Sequence, residues 1–490
     1  MDQPIAFEKL ILFLVRRRPT MKQVYITSDA LRCRSVVQGS LPAIVALLLL
    51  GALAGVARGQ TAVLSETTWG GFGNEIPTGV AVAADGSSYV VGTSDSFTTD
   101  QFGSPRPAIF LVKFTAAGTV AWQTIWPGFT FTGIFHGPAV ALHAGALPAD
   151  DSIYVTGLTT SNGNDAVLLK FDASGRLIWQ RTWGGSADEE SNAVATASDG
   201  SVYIAGQTFS FGASGSGLFV VKFDALGSLV WQKVLDQSAG GGAIAVAPDG
   251  SVYAAGTRVR DTTFATFDLV AVKLTSAGAL VWQRQYAAGD VADPRGGMTV
   301  AADGSIYIAG ALQAPRMGFV PITALVVRLS ADGALLLDGQ WSEKGGGGES
   351  AAGIAAAADG SVYFAGTSSS DAFVVHLLPS GKVAGAATWG GTGFDEGSGV
   401  AVAADGSLRL AAVAQAPPYS LLPATKLFPN VKGRLAVANA AFGDVPCVLV
   451  HPPNPPHCDT VGFPNFVLTT PAGSTTFAGS FDAALVRLAP

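Results

Sequence analysis

The stretch GRLIWQRTWGGSADEESNAVATASDGSVYIAG, Gly175 to Gly206, contains every part of a unit that recurs from Thr67 to the C-terminus. An apolar run reaches Trp-Gln and then Trp-Gly-Gly. An acidic loop follows, then a run of small residues, an Asp-Gly-Ser turn and a second apolar run ending in Gly. Asp-Gly predicts a tight hairpin, because Gly accepts positive φ and Asp hydrogen-bonds its own turn. The runs on either side therefore read as paired strands.

The turn recurs about every fifty residues: at Asp85-Gly86-Ser87, Asp150-Asp151-Ser152, Asp199-Gly200-Ser201, Asp249-Gly250-Ser251, Asp303-Gly304-Ser305, Asp359-Gly360-Ser361 and Asp405-Gly406-Ser407. A degenerate copy stands at Ala472-Gly473-Ser474, giving eight units by count, with seven as the alternative. Each unit reads as four strands. The first is rich in small residues, and the second has the form SVYIAG. The third is apolar and often ends in Lys (FLVKF, VLLKF, FVVKF). The fourth carries Trp-Gln (RLIWQRTW, SLVWQKVL). Four strands repeated at this period predict an all-β chain folded as a single β-propeller over residues 60–490.

All nine Trp (69, 122, 126, 179, 183, 231, 282, 341 and 389) fall in or at the end of fourth strands. Tyr89, Tyr154, Tyr203, Tyr253, Tyr307 and Tyr363 share one position of the second strand. Such periodicity predicts aromatic packing between blades. The last unit reads as FVLTTPAG, STTFAG and AALVRLAP with no fourth strand, whereas QTAVLSETTW near the start is a fourth strand without a unit. The N-terminal strand is expected to close the ring and remove a free sheet edge.

Residues 1–59 differ from the rest. Leu41–Ala57 (LPAIVALLLLGALAGVA) is an apolar run preceded by Lys22, Arg32 and Arg34 and followed by the small-x-small tripeptide Ala57-Arg58-Gly59. It reads as a secretory signal peptide starting at Met21 and cleaved before Gln60. The competing reading is a retained membrane anchor, for which the run is short. The leader holds eight basic and three acidic residues, which leaves 21 and 33 in the remainder, a net −12. That charge disfavours nucleic acid and anionic membranes and suits cations or basic partners. Localisation is therefore expected to be secreted, periplasmic or cell-surface, with no stable span after cleavage and a monomeric state.

The residues Thr182 to Gly185 (TWGG), the acidic residues that follow, Asp199 to Gly206 (DGSVYIAG) and Val221 to Gln232 resemble the secreted bacterial β-propeller repeat (SBBP) family over residues 61–410. The resemblance implies an exported or surface propeller of seven blades and carries no catalytic residues. The run Asp172 to Trp179 is also similar to the docking repeat of quinone-cofactor propellers, but it lacks the Thr before Gly and the chain lacks adjacent cysteines.

Function is expected on the rim that carries the blade links and the varied second-to-third-strand insertions. The other rim is short and uniform. Carboxylates of the links, Glu75, Asp188, Glu189, Asp395 and Glu396, are candidate Ca²⁺ ligands, although no Asp-x-Asp-x-Asp-Gly loop is present. Chemical groups are sparse. Of five His, His376 replaces the third-strand Lys, and His136 is the best lone site candidate. Nucleophile-elbow and phosphate-loop motifs are absent. Residues 415–471 form a Pro-rich insertion holding Cys447 and Cys458, read as a disulfide in preference to a metal site with His451 and His457. The favoured function is an exported scaffold binding a protein or glycan. The alternatives are a quinone-type propeller enzyme, or a lyase or hydrolase using rim carboxylates and His136.

Overall fold

A computed structural model describes residues 63–414 and 482–488, except 72, 101, 129–136, 144–151, 160–163, 213–215, 237–239, 262–265, 287–290, 314–321, 343–347, 370 and 391–392. The described residues belong to one compact unit.

The strand β1 (Val63–Trp69) comes first and waits for a partner at the far end of the chain. Blade 1 follows with β2 (Glu75–Val82), β3 (Ser88–Ser94), β4 (Ala108–Phe114) and β5 (Val120–Trp126). Blade 2 holds β6 (Ala139–His143), β7 (Ser152–Thr159), β8 (Asp165–Asp172) and β9 (Leu177–Trp183). Blade 3 holds β10 (Glu189–Thr196), β11 (Val202–Thr208), β12 (Gly217–Phe223) and β13 (Leu229–Asp236). Blade 4 holds β14 (Gly240–Val246), β15 (Val252–Asp261), β16 (Thr266–Leu274) and β17 (Leu280–Tyr286).

In blade 5 the first strand is split into β18 (Val291–Asp293) and β19 (Met298–Val300) by a 3-10 turn at Pro294–Gly296. Both pair with β20 (Ile306–Gln313), which continues to β21 (Thr323–Leu329) and β22 (Leu335–Trp341). Val291 also pairs in parallel with Phe267, joining the sheets of blades 4 and 5. Blade 6 holds β23 (Ser350–Ala356), β24 (Val362–Ser368), β25 (Asp371–Leu377) and β26 (Val383–Trp389). Blade 7 takes β27 (Gly397–Val402) and β28 (Leu408–Ala414), then β29 (Asp482–Leu488), and is completed by β1.

The architecture is thus a seven-bladed β-propeller closed by its N-terminal strand, as the orphan fourth strand at the start of the chain led one to expect. The count of eight units is corrected to seven. The third strand read into the eighth unit pairs directly with β28 in continuous register, Leu408 with Leu488 through Ala414 with Asp482. It therefore completes the blade of Asp405-Gly406-Ser407 and leaves no edge for another blade. The degenerate turn at 472–474, the insertion 415–471 with Cys447 and Cys458, and the leader all lie outside the described residues.

The repeated residues have defined places in this register. In blades 1 to 4 the second-strand Tyr faces the third-strand Lys, which faces the first Trp of the fourth strand, as with Tyr89, Lys113 and Trp122 in blade 1 and Tyr154, Lys170 and Trp179 in blade 2; in blades 5 and 6 the Trp place is taken by Leu337 and Gly385. The Lys113 ammonium stands 5.1 Å over the Tyr89 ring, and equivalent cation–π contacts recur through Arg328 over Tyr307 in blade 5. In blade 6, His376 stacks on Tyr363 at 4.2 Å, with burial lowering its pKa. Blade 7 departs most: Arg409 and Arg487 occupy the Tyr and Lys places and Ser65 the Trp place. Arg409 is 3% exposed and donates across the closing seam to Ser88 of blade 1 at 3.1 Å.

Between blades, the last Trp of a fourth strand buries itself in the next blade. Trp69 meets Phe110 at 4.7 Å, Trp183 meets Phe219 at 4.4 Å and Trp341 meets Phe373 at 4.4 Å. The Gln of Trp-Gln accepts the indole N–H of the previous blade: Trp69 to Gln123 at 2.6 Å and Trp183 to Gln232 at 2.8 Å. The expectation that the aromatic period is a packing device is therefore met, and it extends to the glutamine. The core consists of these interblade layers of Val, Leu, Ile and Phe.

Every fourth strand opens with the same irregularity. Lys170 pairs with Trp179 but Phe171 pairs with Leu177, so Ile178 is bulged out of the ladder. The same shift leaves Ala121, Val230, Val281, Leu336, Ala384 and Leu64 as bulge residues in the other six blades. A bulge turns its extra side chain away from the ladder.

Candidate functional site

The propeller has two unlike rims. The lower rim carries the Asp-Gly-Ser turns and the third-to-fourth-strand turns. Its aspartates close their own turns: Ser87 N–H donates to Asp85 Oδ1 at 2.8 Å and Ser201 N–H to Asp199 Oδ1 at 2.9 Å. These bonds lower the aspartate pKa values, and the Asp172 carboxyl, bonded by Ser174 and Arg176, is pushed down to about 2. The lower rim is thus a ring of self-satisfied turns.

The upper rim carries the links and the insertions. Its acidic residues divide into two kinds. Glu75 is fully buried: Oε2 accepts the Gly71 N–H at 2.8 Å, and Oε1 accepts the hydroxyls of Ser94, at 2.8 Å, and of Ser96. Glu189 repeats the arrangement with Gly185 N–H at 2.7 Å, Thr208 hydroxyl at 2.7 Å and Ser210 N–H at 3.1 Å. The Trp-Gly-Gly link and the acid four residues beyond its second glycine are therefore one device. The carboxylate staples the crossover between blades to the end of the second strand. No side chain fits on the second glycine: a Cβ on Gly71 would lie 2.6 Å from Ser96 Cβ, and one on Gly185 would lie 2.5 Å from Ser210 Cβ. Glu349 is buried at the same place in blade 6, within 3.4 Å of the Ser368 hydroxyl.

The second kind surrounds these staples. Asp165, at the start of β8, and Glu189 approach one another beneath Gly184; their oxygens lie 2.0 Å and 2.5 Å from the point a Cβ there would occupy. Burial and the Glu189 charge raise the Asp165 pKa. Asp371 and Asp395 crowd Gly390 in the same way, at 2.4 Å and 3.0 Å. Burial also raises the pKa of Glu75, Glu66 and Glu396. Asp188 is exposed, and its backbone carbonyl accepts the Phe209 N–H at 2.9 Å.

The sequence-predicted Ca²⁺ candidates are therefore spread over three blades: Glu75 in blade 1, Asp188 and Glu189 in blade 3, Asp395 and Glu396 beside blade 7. Glu75 and Glu189 are engaged by backbone and hydroxyl donors. Among the described residues no three His, Cys, Asp or Glu side chains converge on a point that could hold a metal. His136 lies outside the described residues. The crevices beside blade 7, lined by Trp69, Phe110 and Ala484 on one side and by Phe373, Trp389 and Leu488 on the other, have no room for anything larger than a water.

Two features of the upper rim are missed by the sequence reading. The first is a polar ladder on the long hairpin of blade 4. Arg260 pairs with the buried Asp268 at 3.1 Å, Gln285 donates to Asp268, and Arg258 donates to Gln285 at 2.9 Å. It is a cationic spot on an acidic rim. The second is a set of exposed phenylalanines. Phe97 and Phe102 of the blade 1 insertion, Phe209 of blade 3 and Phe394 before blade 7 are all exposed, Phe102 by 83%. Every exposed phenylalanine among the described residues lies on this rim. The only signal in the sequence is aromatic residues inside Gly- and Ser-rich insertions.

No family model matches the chain. Among curated proteins, the chain is 28% identical over 175 residues to the regulatory protein FlaEY of Caulobacter vibrioides (strain ATCC 19089 / CIP 103742 / CB 15); the match covers 28% of this chain and 18% of FlaEY. The chain thus spans under a fifth of that relative's length. Among solved structures, the polysaccharide lyase Uly1 superposes with TM-score 0.45 at 12% identity, covering 73% of this chain and 97% of that one. A puromycin hydrolase variant superposes with TM-score 0.44 at 16% identity, covering 71% and 50%. The β-propeller domain of the trilobed protease from Pyrococcus furiosus superposes with TM-score 0.41 at 11% identity, covering 70% and 91%. Likeness at these identities concerns the propeller fold alone.

Proposed function

We propose that this chain is an exported β-propeller scaffold that binds a protein or glycan partner on its upper rim, as an SBBP-like repeat protein of the periplasm or cell surface. The observation that carries the reading is that exposed Phe97, Phe102, Phe209 and Phe394, on blades 1 and 3 and the link to blade 7, all stand on the rim whose loops differ from blade to blade. Exposed aromatic side chains on a rigid frame supply large contact area at low entropic cost. Their faces stack equally on sugar C–H groups and on apolar protein side chains. Acidic residues among them favour a partner with cationic or hydroxyl-rich groups.

The test is a pull-down and glycan-array screen with the propeller and with the Phe102→Ala/Phe209→Ala variant. A partner retained by the parent and weakened at least about tenfold by the double variant supports the reading. Equal retention by both proteins moves the binding site off this rim.

A further inference from the structure

We propose that the lower rim of the propeller docks flat on a lipid bilayer, through a ring of bulged aliphatic side chains that leaves the upper rim facing away. The bulge residues Leu64, Ile178, Val230, Val281 and Leu336 are between 45% and 53% exposed. The bulges of blades 1 and 6 carry the smaller Ala121 and Ala384. A soluble sheet edge ordinarily places charged or polar groups at such positions. Here the ladder is broken in each blade, and the released residue is aliphatic in every case.

The geometry selects the occupant. In blades 1 to 6 the bulge residue stands three positions after the positive-φ glycine of the third-to-fourth-strand turn, as Ile178 does after Gly175 and Leu336 after Gly333. The side chains therefore sit at one height around the propeller axis. A peptide or a globular partner would meet one sector of such a ring, whereas a planar surface meets all of it. The turn tips beneath the ring are short: Ala116-Ala117, Ala173-Ser174 and Ser276-Ala277 are small, Leu226 adds a further apolar side chain that is 77% exposed, and Ala331-Asp332 brings one exposed carboxylate.

Charge supports the same orientation. Four lower-rim aspartates are paired with cations: Asp303 with Arg328, Asp405 with Arg487 at 3.0 Å, Asp172 with Arg176 at 3.1 Å and Asp199 with Lys222 at 3.8 Å. Link carboxylates such as Asp188 and Glu396 stand on the other rim, where anionic headgroups would repel them. The half-buried Trp179 and Trp231 follow the bulge residues directly, with Arg181 and Lys233 beyond them, an order suited to the headgroup boundary. The upper-rim binding reading stands or falls separately.

The experiment is vesicle flotation of residues 60–490, whose ring closes with its own strands, on phosphatidylethanolamine/phosphatidylglycerol vesicles. The parent is compared with Ile178→Ser/Val230→Ser/Val281→Ser/Leu336→Ser and with the upper-rim variant Phe102→Ser. The parent and Phe102→Ser are expected to float. The quadruple variant is expected to lose about tenfold or more of the bound fraction while its circular dichroism and melt are unchanged. The double variant Val230→Ser/Val281→Ser, which keeps two of the four sites, is expected to float to an intermediate degree, a readout that survives if the quadruple variant misfolds. A parent that stays at the bottom of the gradient overturns the proposal, as does a double variant that floats like the parent. So does a parent dimer in analytical ultracentrifugation that the substitutions dissolve, because a second copy would then be what covers the ring.

Discussion

At the scale of single residues, one carboxylate pair sets a pH response. Asp165 and Glu189 share the space beneath Gly184, and Asp165 has its pKa raised by burial and by the Glu189 charge. A raised folded-state value means that the folded protein holds this proton more tightly than the unfolded chain. The stabilisation is full below the unfolded value near 3.8 and is lost as pH rises through the folded value. Glu75, Glu66 and Glu396 act in the same sense from their ordinary value of 4.5. The lower-rim aspartates act in the opposite sense, since their lowered values remove stability as pH falls below about 4. Asp165→Asn, which deletes one charge of the pair, is expected to raise the melting temperature at pH 7 by on the order of 1 °C. Calorimetric scans from pH 3 to pH 8 would check it: the gap between variant and parent should close below pH 4. A gap that persists there would mean that Asp165 is not the titrating group.

At the scale of elements, the turns into the fourth strands show how tightly neighbouring blades are coupled. Gly175 has φ of +82°, and a Cβ on it would lie 2.7 Å from the Trp122 ring of the preceding blade. Gly304, in an Asp-Gly-Ser turn, has φ of +78° with nothing within 4 Å. Gly304→Ala meets only the left-handed backbone cost, about 1–2 kcal/mol. Gly175→Ala adds displacement of the indole, another ~1–3 kcal/mol. Urea unfolding of the two variants should rank them in that order. Equal losses would show that Trp122 yields freely and that the interblade contact is soft. The element pattern itself was readable from the sequence, because Asp-Gly, Trp-Gln and the alternation of small and large strands are local signals. The bulges of the fourth strands were not readable, because a bulge is defined by its partner strand and not by the residue that leaves the ladder.

At the scale of the whole molecule, closure rests on β1, which pairs with β29 from Val63–Leu488 to Trp69–Ala483. It also buries Trp69 against Phe110. The Thr67 hydroxyl donates to the Gly118 carbonyl at 2.6 Å, tying blade 7 to blade 1. Removing residues 60–68 would strip the fourth strand from blade 7 up to Trp69, delete the Thr67 hydrogen bond and leave Trp69 without the strand that holds it against Phe110. The expected result is a fall in melting temperature of about 10 °C or more. An unchanged melt would refute closure by this strand. Arg409 belongs to the same seam: it stands where other blades place Tyr, and with Ser65 in place of Trp, the guanidinium spans to Ser88 of blade 1.

The sequence by itself determined the class of fold, the four-stranded unit, the closing role of the N-terminal strand and the packing role of the aromatic period. All of these follow from periodicity and from turn chemistry that acts within a few residues. Only the tertiary structure decided the number of blades, because Asp405-Gly406-Ser407 and Asp482–Leu488 lie far apart in the chain and are joined by strand pairing alone. It also decided the meaning of the acidic links. In the sequence, Glu75 and Glu189 are charges in a loop. In the fold they are buried, and their oxygens are taken by the N–H and hydroxyl groups that would otherwise be left unbonded at the crossover between blades. The exposed phenylalanines and the aliphatic ring are tertiary facts for the same reason: whether an apolar side chain faces core or solvent is set by the neighbouring blade, not by the residues beside it in the chain.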